Sequence, residues 1–230
     1  MKSPSIIVII GPPSSGKGTQ SELLAEKFNF YYFETSRIIV SKLEGVNEND
    51  FVLVNGKKYF LLKEKKMREN GELMSPPLIT FWVKERIREL AKDKKPIVFS
   101  GSPRTLYEGK EIIPLLKKLY GKNKILVLIL ELSEKEIIFR GTNRRTCILM
   151  RHPILYSKET INLKKCPIDG SKLEIRKDDS SEAIKIRIKE YQERTLPLID
   201  YFEKEGLSIK KINGEQSVED VFNDILETLK

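Results

Sequence analysis

The residues best suited to chemistry lie in a glycine-rich loop, residues 11–19, which reads GPPSSGKGT. The loop follows an apolar run at residues 5–10 and precedes a stretch, residues 17–28, whose apolar residues have helical spacing. In this context backbone N–H groups and the start of the helix surround phosphate groups, and Lys17 adds a positive charge. Thr19 offers its hydroxyl to a phosphate-bound magnesium ion. The loop therefore predicts a site for the phosphates of a nucleotide.

Short apolar runs alternate with helical stretches along most of the chain. The strand-like runs are residues 5–10, 30–33, 96–99, 125–130 and 207–212. The helical stretches include residues 17–28, 78–90, 108–119 and 181–205. Such alternation is typical of α/β folds, in which parallel strands form one sheet and helices cover both faces. We therefore predict a doubly wound parallel sheet of about five strands.

Two segments interrupt the alternation and predict insertions into the core. Residues 36–75 hold short mixed elements, and Asn55-Gly56 between two β-prone runs predicts a hairpin. Residues 144–177 are polar and contain both cysteines and the only histidine. The core domain is then expected to comprise residues 1–35, 76–143 and 178–230.

The composition favours a folded protein with anionic partners. The 230 residues include 42 Lys and Arg against 33 Asp and Glu, a formal net charge of +9. Such a charge attracts phosphates, nucleotides or nucleic acid. No apolar run is long enough to cross a bilayer, so we expect no membrane partner. With two cysteines and no recognisable export signal, we expect a cytoplasmic location and no structural disulfide.

Five motifs, in the same order, resemble those of adenylate kinases and related nucleoside monophosphate kinases. They are GKGTQ at residues 16–20, GSPRT at 101–105, RGTNRR at 140–145, RKDD at 176–179 and YQERTLPLIDY at 191–201. Arg187 also follows Arg176 at the family's spacing of eleven residues. The resemblance implies a P-loop fold in which ATP donates its terminal phosphate to a nucleoside monophosphate, with AMP as the first choice.

Carried over residue by residue, the resemblance also implies the parts of the site. The positive charges around the transferred phosphate would be Lys17, Arg104, Arg144, Arg176 and Arg187. ATP would contact Gly11, Pro13, Ser14, Ser15, Gly16, Lys17, Gly18, Thr19, Arg140 and Arg144. The monophosphate would contact Thr35, Arg37, Met74, Gly101, Arg104, Glu108, Arg176 and Arg187. Asp178 and Asp179 would position the arginines of a lid at residues 144–177, and residues 36–75 would form the monophosphate-binding lobe.

The lid segment carries a candidate metal site. Cys147 and His152 are followed by Cys166 and Asp169, and some bacterial members of the family hold zinc on two ligand pairs in this lid. The second pair keeps the family's spacing, whereas the first is two residues longer. Thiolate, imidazole and carboxylate suit tetrahedral zinc, so we expect a structural Zn²⁺; two unligated cysteines beside a surface histidine are the alternative.

Several positions depart from the family's pattern. Ser100 stands where the family has an aspartate that helps to hold magnesium, so Mg²⁺ would rest mainly on the ATP phosphates and Thr19. Val40 replaces an arginine, and Arg37, which itself stands at an aspartate position, is the candidate to reach the acceptor phosphate instead. Glu108 replaces an adenine-binding glutamine. Because an ionised glutamate only accepts hydrogen bonds, GMP is the alternative acceptor to AMP.

Two other classes of function are alternatives. A zinc-ribbon protein that binds nucleic acid would explain the charge and the cysteines, but the sequence lacks an aromatic-rich basic strand for stacking bases, so we expect no nucleic-acid partner. A weakly active relative that only binds nucleotides would explain Ser100 and Arg37, but it has little need for the whole set of arginines. We expect a monomer, because the lid and lobe motions of the family need free surfaces.

Overall fold

The computed structural model describes residues 4–150, 152–176 and 179–230. Its strands are β1 Ile6–Ile10, β2 Tyr31–Glu34, β3 Phe51–Val54, β4 Lys57–Phe60, β5 Ile97–Ser100, β6 Ile125–Glu131, β7 Arg145–Cys147, β8 Pro153–Ile154, β9 Leu173–Glu174 and β10 Ser208–Asn213. Its helices are α1 Lys17–Phe28, α2 Thr35–Leu43, α3 Leu61–Glu69, α4 Pro76–Lys92, α5 Leu106–Tyr120, α6 Glu134–Asn143, α7 Ser181–Glu190, α8 Pro197–Lys204 and α9 Val218–Thr228.

A five-stranded parallel sheet forms the centre of the fold, in the order β10-β6-β1-β5-β2. Every residue of β1 is buried, as expected for a central strand covered on both faces by helices. The predicted α/β class is therefore confirmed, and each of the five strand-like runs of the sequence contributes one strand of this sheet.

The two faces of the sheet have separate apolar layers. On one face the rings of Phe33 and Phe99 pack with their centroids 4.6 Å apart and are fully buried. On the other face Ile7 and Ile9 of β1 pack with Leu24 of α1. These layers fix the carboxyl ends of β1, β2 and β5, and the segments that follow those ends carry the candidate site residues.

The carboxyl-terminal helical stretch contains a change of helix type. The predicted helical residues 181–205 form α7, a π-helical turn at Tyr191–Thr195 and then α8. Pro197 is the first residue of α8, and it lacks the N–H that a continuous helix would need to bond the carbonyl of residue 193. The wider turn accommodates that loss.

Each insertion has a small sheet of its own. Strands β3 and β4 pair antiparallel around Asn55 and Gly56, whose φ angles of 51° and 78° lie in the left-handed region, so the predicted hairpin is confirmed. In the second insertion β7 pairs with both β8 and β9. Among the helices in the described part of the chain, none combines the length and the apolar character that a bilayer crossing requires.

Candidate functional site

The glycine-rich loop lies between β1 and α1, as its sequence context predicts. Ser14 and Gly16 adopt left-handed conformations, with φ of 59° and 86°, a feature of backbone concavities that bind anions. The Lys17 ammonium folds over the loop and donates to the carbonyls of Gly11 at 2.8 Å and Pro12 at 2.5 Å. The buried hydroxyl oxygen of Ser14 has no protein partner among the described residues. Phosphate oxygens would satisfy these donors.

Positive side chains from distant segments surround Lys17. Burial lowers the pKa of Lys17 most strongly, and the charges of Arg104, Arg187 and Arg144 lower it further. These arginines follow β5, lie within α7 and follow α6, respectively. The structure thus brings four of the five expected cations together. The fifth, Arg176, lies just before Asp179, whose N–H donates to the Arg176 carbonyl at 3.0 Å.

Asp179 connects two of these arginines. Its carboxylate accepts bonds of 3.0 Å from Nε and 2.6 Å from Nη2 of Arg144, and one of 3.2 Å from Nη1 of Arg187. The side chain of Asp179 is fully buried, whereas those of Arg144 and Arg187 are 17% and 25% exposed. One buried carboxylate therefore holds two guanidinium groups beside Lys17. Asp178, expected to act in the same way, lies outside the described residues.

A second depression, the α2–α3 pocket, lies next to this cluster. The residues that line it include Thr35, Arg68, Glu72, Met74, Gly101, Arg104 and Glu108. Thr35 is 2% exposed, and its hydroxyl has no protein partner among the described residues. A buried, unsatisfied hydroxyl is costly unless a ligand supplies the missing bond. The pocket has two arginines, apolar walls and a buried carboxyl group, a combination that suits a nucleoside monophosphate.

Two backbone features shape the pocket near Arg104. Gly101 has a φ of 95°, which favours glycine, and a Cβ atom there would lie 2.8 Å from Nη2 of Arg104 and push that guanidinium group aside. The carbonyl of Arg104 accepts a 2.7 Å bond from the Thr195 hydroxyl, which belongs to the π-helical turn. The main chain that carries this guanidinium is therefore held from two sides.

Glu108 is the buried carboxyl group of the pocket. Its Oε2 accepts from the Ser102 hydroxyl and from the Arg104 N–H, both at 2.9 Å. Its Oε1 lies 3.3 Å from the Thr105 hydroxyl, and the same hydroxyl caps α5 by accepting from the Glu108 N–H. Burial raises the pKa of this carboxyl group above its usual range, although the hydrogen bonds and the Arg104 charge oppose the shift.

In the structure Arg68, rather than the expected Arg37, lines the α2–α3 pocket. Arg37 is exposed and pairs with Glu34 at 2.5 Å, and its guanidinium carbon lies 5.6 Å from the centre of the Tyr32 ring. It lines a separate depression with Glu34 and Tyr32, whereas Arg68 lines the α2–α3 pocket. Sequence analysis missed Arg68, because its one signal was a cation in the last turn of a helix within the first insertion.

Two further positions that the sequence singles out, Arg140 and Ser100, lie in α6 and at the end of β5, respectively. Arg140 donates from Nε to Glu136 at 2.6 Å, one helical turn earlier. A Cβ atom on Gly141 would lie 2.6 Å from Ile184 and 3.0 Å from the Ser14 hydroxyl, so glycine lets α6 approach both α7 and the loop. Ser100 pairs in register with Glu34, whose carboxylate is engaged with Ser36 and Arg37.

The second insertion holds a group of metal-ligating side chains. One ligand atom from each of Cys147, His152, Cys166 and Asp169 lies within 4.8 Å of the other three. Cys147 Sγ is 3.0 Å and His152 Nδ1 is 3.3 Å from Asp169 Oδ2, and Cys166 Sγ is 3.5 Å from His152 Nδ1. Ligands about 2.0–2.3 Å from a tetrahedral zinc would be about 3.3–3.8 Å apart, so the group fits that metal after small adjustments.

Comparison with known proteins gives one consistent family. A model of the family described as adenylate kinase matches residues 9–207. An adenylate kinase of Methanothrix thermoacetophila is 34% identical over 231 residues, which cover 97% of each chain. An adenylate kinase of Petrotoga mobilis is 33% identical over 227 residues, again 97% of each chain. One of Mycoplasma capricolum is 33% identical over 97% of this chain and 99% of its own.

The buried Asp179 carboxylate gives a testable prediction about stability. The Asp179→Asn variant should lose about 3 kcal/mol of unfolding free energy, because two arginines then lose their charged partner. Denaturant unfolding of both proteins measures the loss. Asp200→Asn, at an exposed position in the first turn of α8, is the matched control and should cost no more than about 1 kcal/mol. Equal stability of Asp179→Asn and the wild type would contradict the role of this carboxylate.

Proposed function

The chain belongs to the adenylate kinase family, and we propose that it transfers the terminal phosphoryl group of ATP to AMP, giving two molecules of ADP. The enzyme is a phosphotransferase. The observation that supports this reaction best is the convergence of Lys17, Arg104, Arg144 and Arg187 beside the glycine-rich loop. A phosphoryl group in transfer spreads negative charge over its outer oxygens, and fixed cations stabilise that charge.

In this proposal the loop binds the donor, and the α2–α3 pocket binds the acceptor. The backbone N–H groups of residues 14–19, together with the Lys17 ammonium, hold the β- and γ-phosphates of ATP. Arg104 holds the acceptor phosphate, while the apolar walls and the Thr35 hydroxyl receive the nucleoside. Because Arg104 also faces Lys17, the acceptor oxygen lies between the two sites. Positioning of this kind accounts for much of the rate of a phosphoryl transfer.

The remaining arginines belong to the closing parts of the site. Arg144 and Arg187 reach the transferred group while Asp179 fixes their directions, and Arg176 joins them when the second insertion, acting as a lid, moves over the loop. Arginine suits this task because its planar fork binds phosphate oxygens in pairs. Arg140 is the residue proposed to contact the donor base. Closure also excludes water, which would otherwise compete with AMP for the phosphoryl group.

Adenylate kinases use Mg²⁺ with ATP, and the residues here fit an ion that is held mainly by the nucleotide. Thr19, in the first turn of α1, offers a hydroxyl next to the phosphate loop. Ser100 has no carboxylate, and its neighbour Glu34 is engaged with Arg37. We therefore propose that Thr19 and the phosphates hold the ion, which when bound offsets phosphate charge.

A structural Zn²⁺ in the lid is part of the same proposal. The supporting observation is the four-residue group, whose ligand types and separations fit a closed tetrahedral site. The apolar cluster of this insertion is small, with Cys147 and Cys166 as two of its buried members. A small unit of this kind gains much of its stability from a bound metal. Both thiols stay reduced in a cytoplasmic location, which we propose together with a monomeric state.

The reaction is tested directly by an assay of ADP formation from ATP and AMP. The Lys17→Met variant should lower kcat by about 10²–10³-fold, because a charge aimed at the transferred group is lost. Lys27→Met, near the carboxyl end of the same helix, is the matched control and should stay close to wild type. A wild-type protein that forms no ADP from any nucleoside monophosphate would contradict the proposal and favour a nucleotide-binding regulator.

The acceptor phosphate site is tested by comparing two arginines. Arg68→Met should raise the KM for AMP by about tenfold and leave the KM for ATP unchanged, because Arg68 lines the acceptor pocket together with Arg104. Arg37→Met should change neither value strongly, since Arg37 pairs with Glu34 outside that pocket. Initial-rate kinetics with each substrate varied measures both. The reverse result would favour the sequence-based assignment of Arg37.

The metal site is tested by zinc content and thermal unfolding of the purified protein. Wild type should contain about one Zn²⁺ per chain, and Asp169→Ala should bind it more than about tenfold more weakly and unfold at a lower temperature, because a ligand is lost. Glu159→Ala, which removes a carboxylate of the same insertion outside the group, should retain the metal. A wild-type protein that takes up no zinc when it is supplied would contradict the site.

A further inference from the structure

The two oxygens of Glu108 have different surroundings. Oε2 already accepts two hydrogen bonds of 2.9 Å, from the Ser102 hydroxyl and the Arg104 N–H, which makes it the carbonyl-like oxygen. Among the residues that the structure describes, Oε1 has only the longer contact of 3.3 Å with the Thr105 hydroxyl. Because an acid proton lies on the oxygen that accepts fewer bonds, Oε1 is the oxygen that carries it. Oε1 therefore also has more hydrogen-bonding capacity left than Oε2.

The position of Glu108 suits contact with a base. The residue is 3% exposed and lines the α2–α3 pocket together with the apolar side chain of Met74 and the unsatisfied hydroxyl of Thr35. Arg104 lines the same pocket and is assigned to the phosphate. A nucleotide whose phosphate meets Arg104 therefore presents its base to the remaining polar groups of the pocket, which include the buried Thr35 hydroxyl and the buried Glu108 carboxyl group.

Several charged or titratable groups line the pocket of this carboxyl group or lie on the elements packed around α5. Those that line the same pocket are Arg68, Glu72 and Arg104. Those on or against the other faces of α5 are Lys84 with Glu111, Lys117 with Glu205, and Tyr201, which packs on Gly109. Of these groups, Arg104 affects the carboxyl directly, and it favours the ionised form. Burial has the larger and opposite effect, so the protonated form persists to a higher pH than in an exposed glutamate.

Resting on the proposed function, we propose that Glu108 selects the purine of the acceptor through the protonation of Oε1. The protonated Oε1 donates a hydrogen bond to N1 of adenine, which accepts, and the ionised Oε1 accepts one from the N1–H of guanine. In both states Oε2 keeps its bonds to Ser102 and to the Arg104 N–H. The rest of the pocket therefore stays in place while one atom changes from donor to acceptor.

The consequence is an acceptor preference that depends on pH. AMP requires the protonated enzyme and GMP requires the ionised enzyme. The kcat/KM for AMP divided by that for GMP should therefore fall by up to about tenfold for each unit of rising pH. The secondary phosphate ionisation is common to both nucleotides and cancels in this ratio. A buried donor or acceptor that is left without a hydrogen-bond partner costs free energy, and this penalty makes the discrimination between the two purines strong.

The experiment measures kcat/KM for AMP and for GMP with saturating ATP between about pH 5.5 and 8.5. The expected result is a ratio that declines with pH in the wild type. The Glu108→Gln variant should keep a ratio that favours AMP and does not change with pH, because its amide oxygen accepts from Ser102 and Arg104 while its NH₂ group donates permanently. Thermal unfolding of the variant shows whether it is folded.

The outcomes separate this inference from the proposed function. Activity with AMP and a wild-type ratio that is constant across the pH range would overturn the role of Glu108 while leaving the kinase assignment intact. A Glu108→Gln enzyme whose ratio still falls with pH would overturn it as well, because the titrating group would lie elsewhere. Absence of activity with every monophosphate would instead count against the proposed function. The wild-type profile alone decides the case if the variant does not fold.

Discussion

Repulsion among like charges is the constraint on which the site depends. Lys17 lies close enough to Arg104, Arg144 and Arg187 for their charges to lower its pKa. Such a cluster costs free energy in a folded protein unless anions offset it. Asp179 supplies part of that offset by binding two of the arginines from a fully buried position. The phosphates of the substrates would supply the rest, so the arrangement favours nucleotide binding over an empty site.

The ends of the strands explain why residues so distant in sequence meet. The loop follows β1, Thr35 follows β2, and Gly101 and Arg104 follow β5, and these three strands are neighbours in one parallel sheet. Parallel strands place all their carboxyl ends at one edge, where side chains from separate segments converge. The fully buried rings of Phe33 and Phe99 hold two of these ends in register. Core packing and site geometry are therefore set by the same strands.

The sequence predicts the sheet well because its signals are local. Each strand is a short apolar run, and the Asn55-Gly56 turn has a specific backbone requirement that the structure confirms. The helical stretch 181–205 was predicted, but its π-helical turn at Tyr191–Thr195 was not, because helical periodicity continues through such a turn. Arg68 was missed for a different reason. Its proposed role rests on the pocket that it lines together with Arg104, and such tertiary proximity cannot be recognised from the spacing of residues in the sequence.

The π-helical turn has a mechanical consequence. It presents the Thr195 hydroxyl to the Arg104 carbonyl, and α8, which follows directly, packs its Leu198 and Tyr201 against Gly109 of α5. The π-helical turn and α8 thereby contact the Arg104 carbonyl and α5 at two points about one helical turn apart. Displacement of this carboxyl-terminal region would carry the guanidinium with it. If Arg104 binds the acceptor as proposed, mutations on the outer surface of α8 would change acceptor affinity without altering any residue of the cleft.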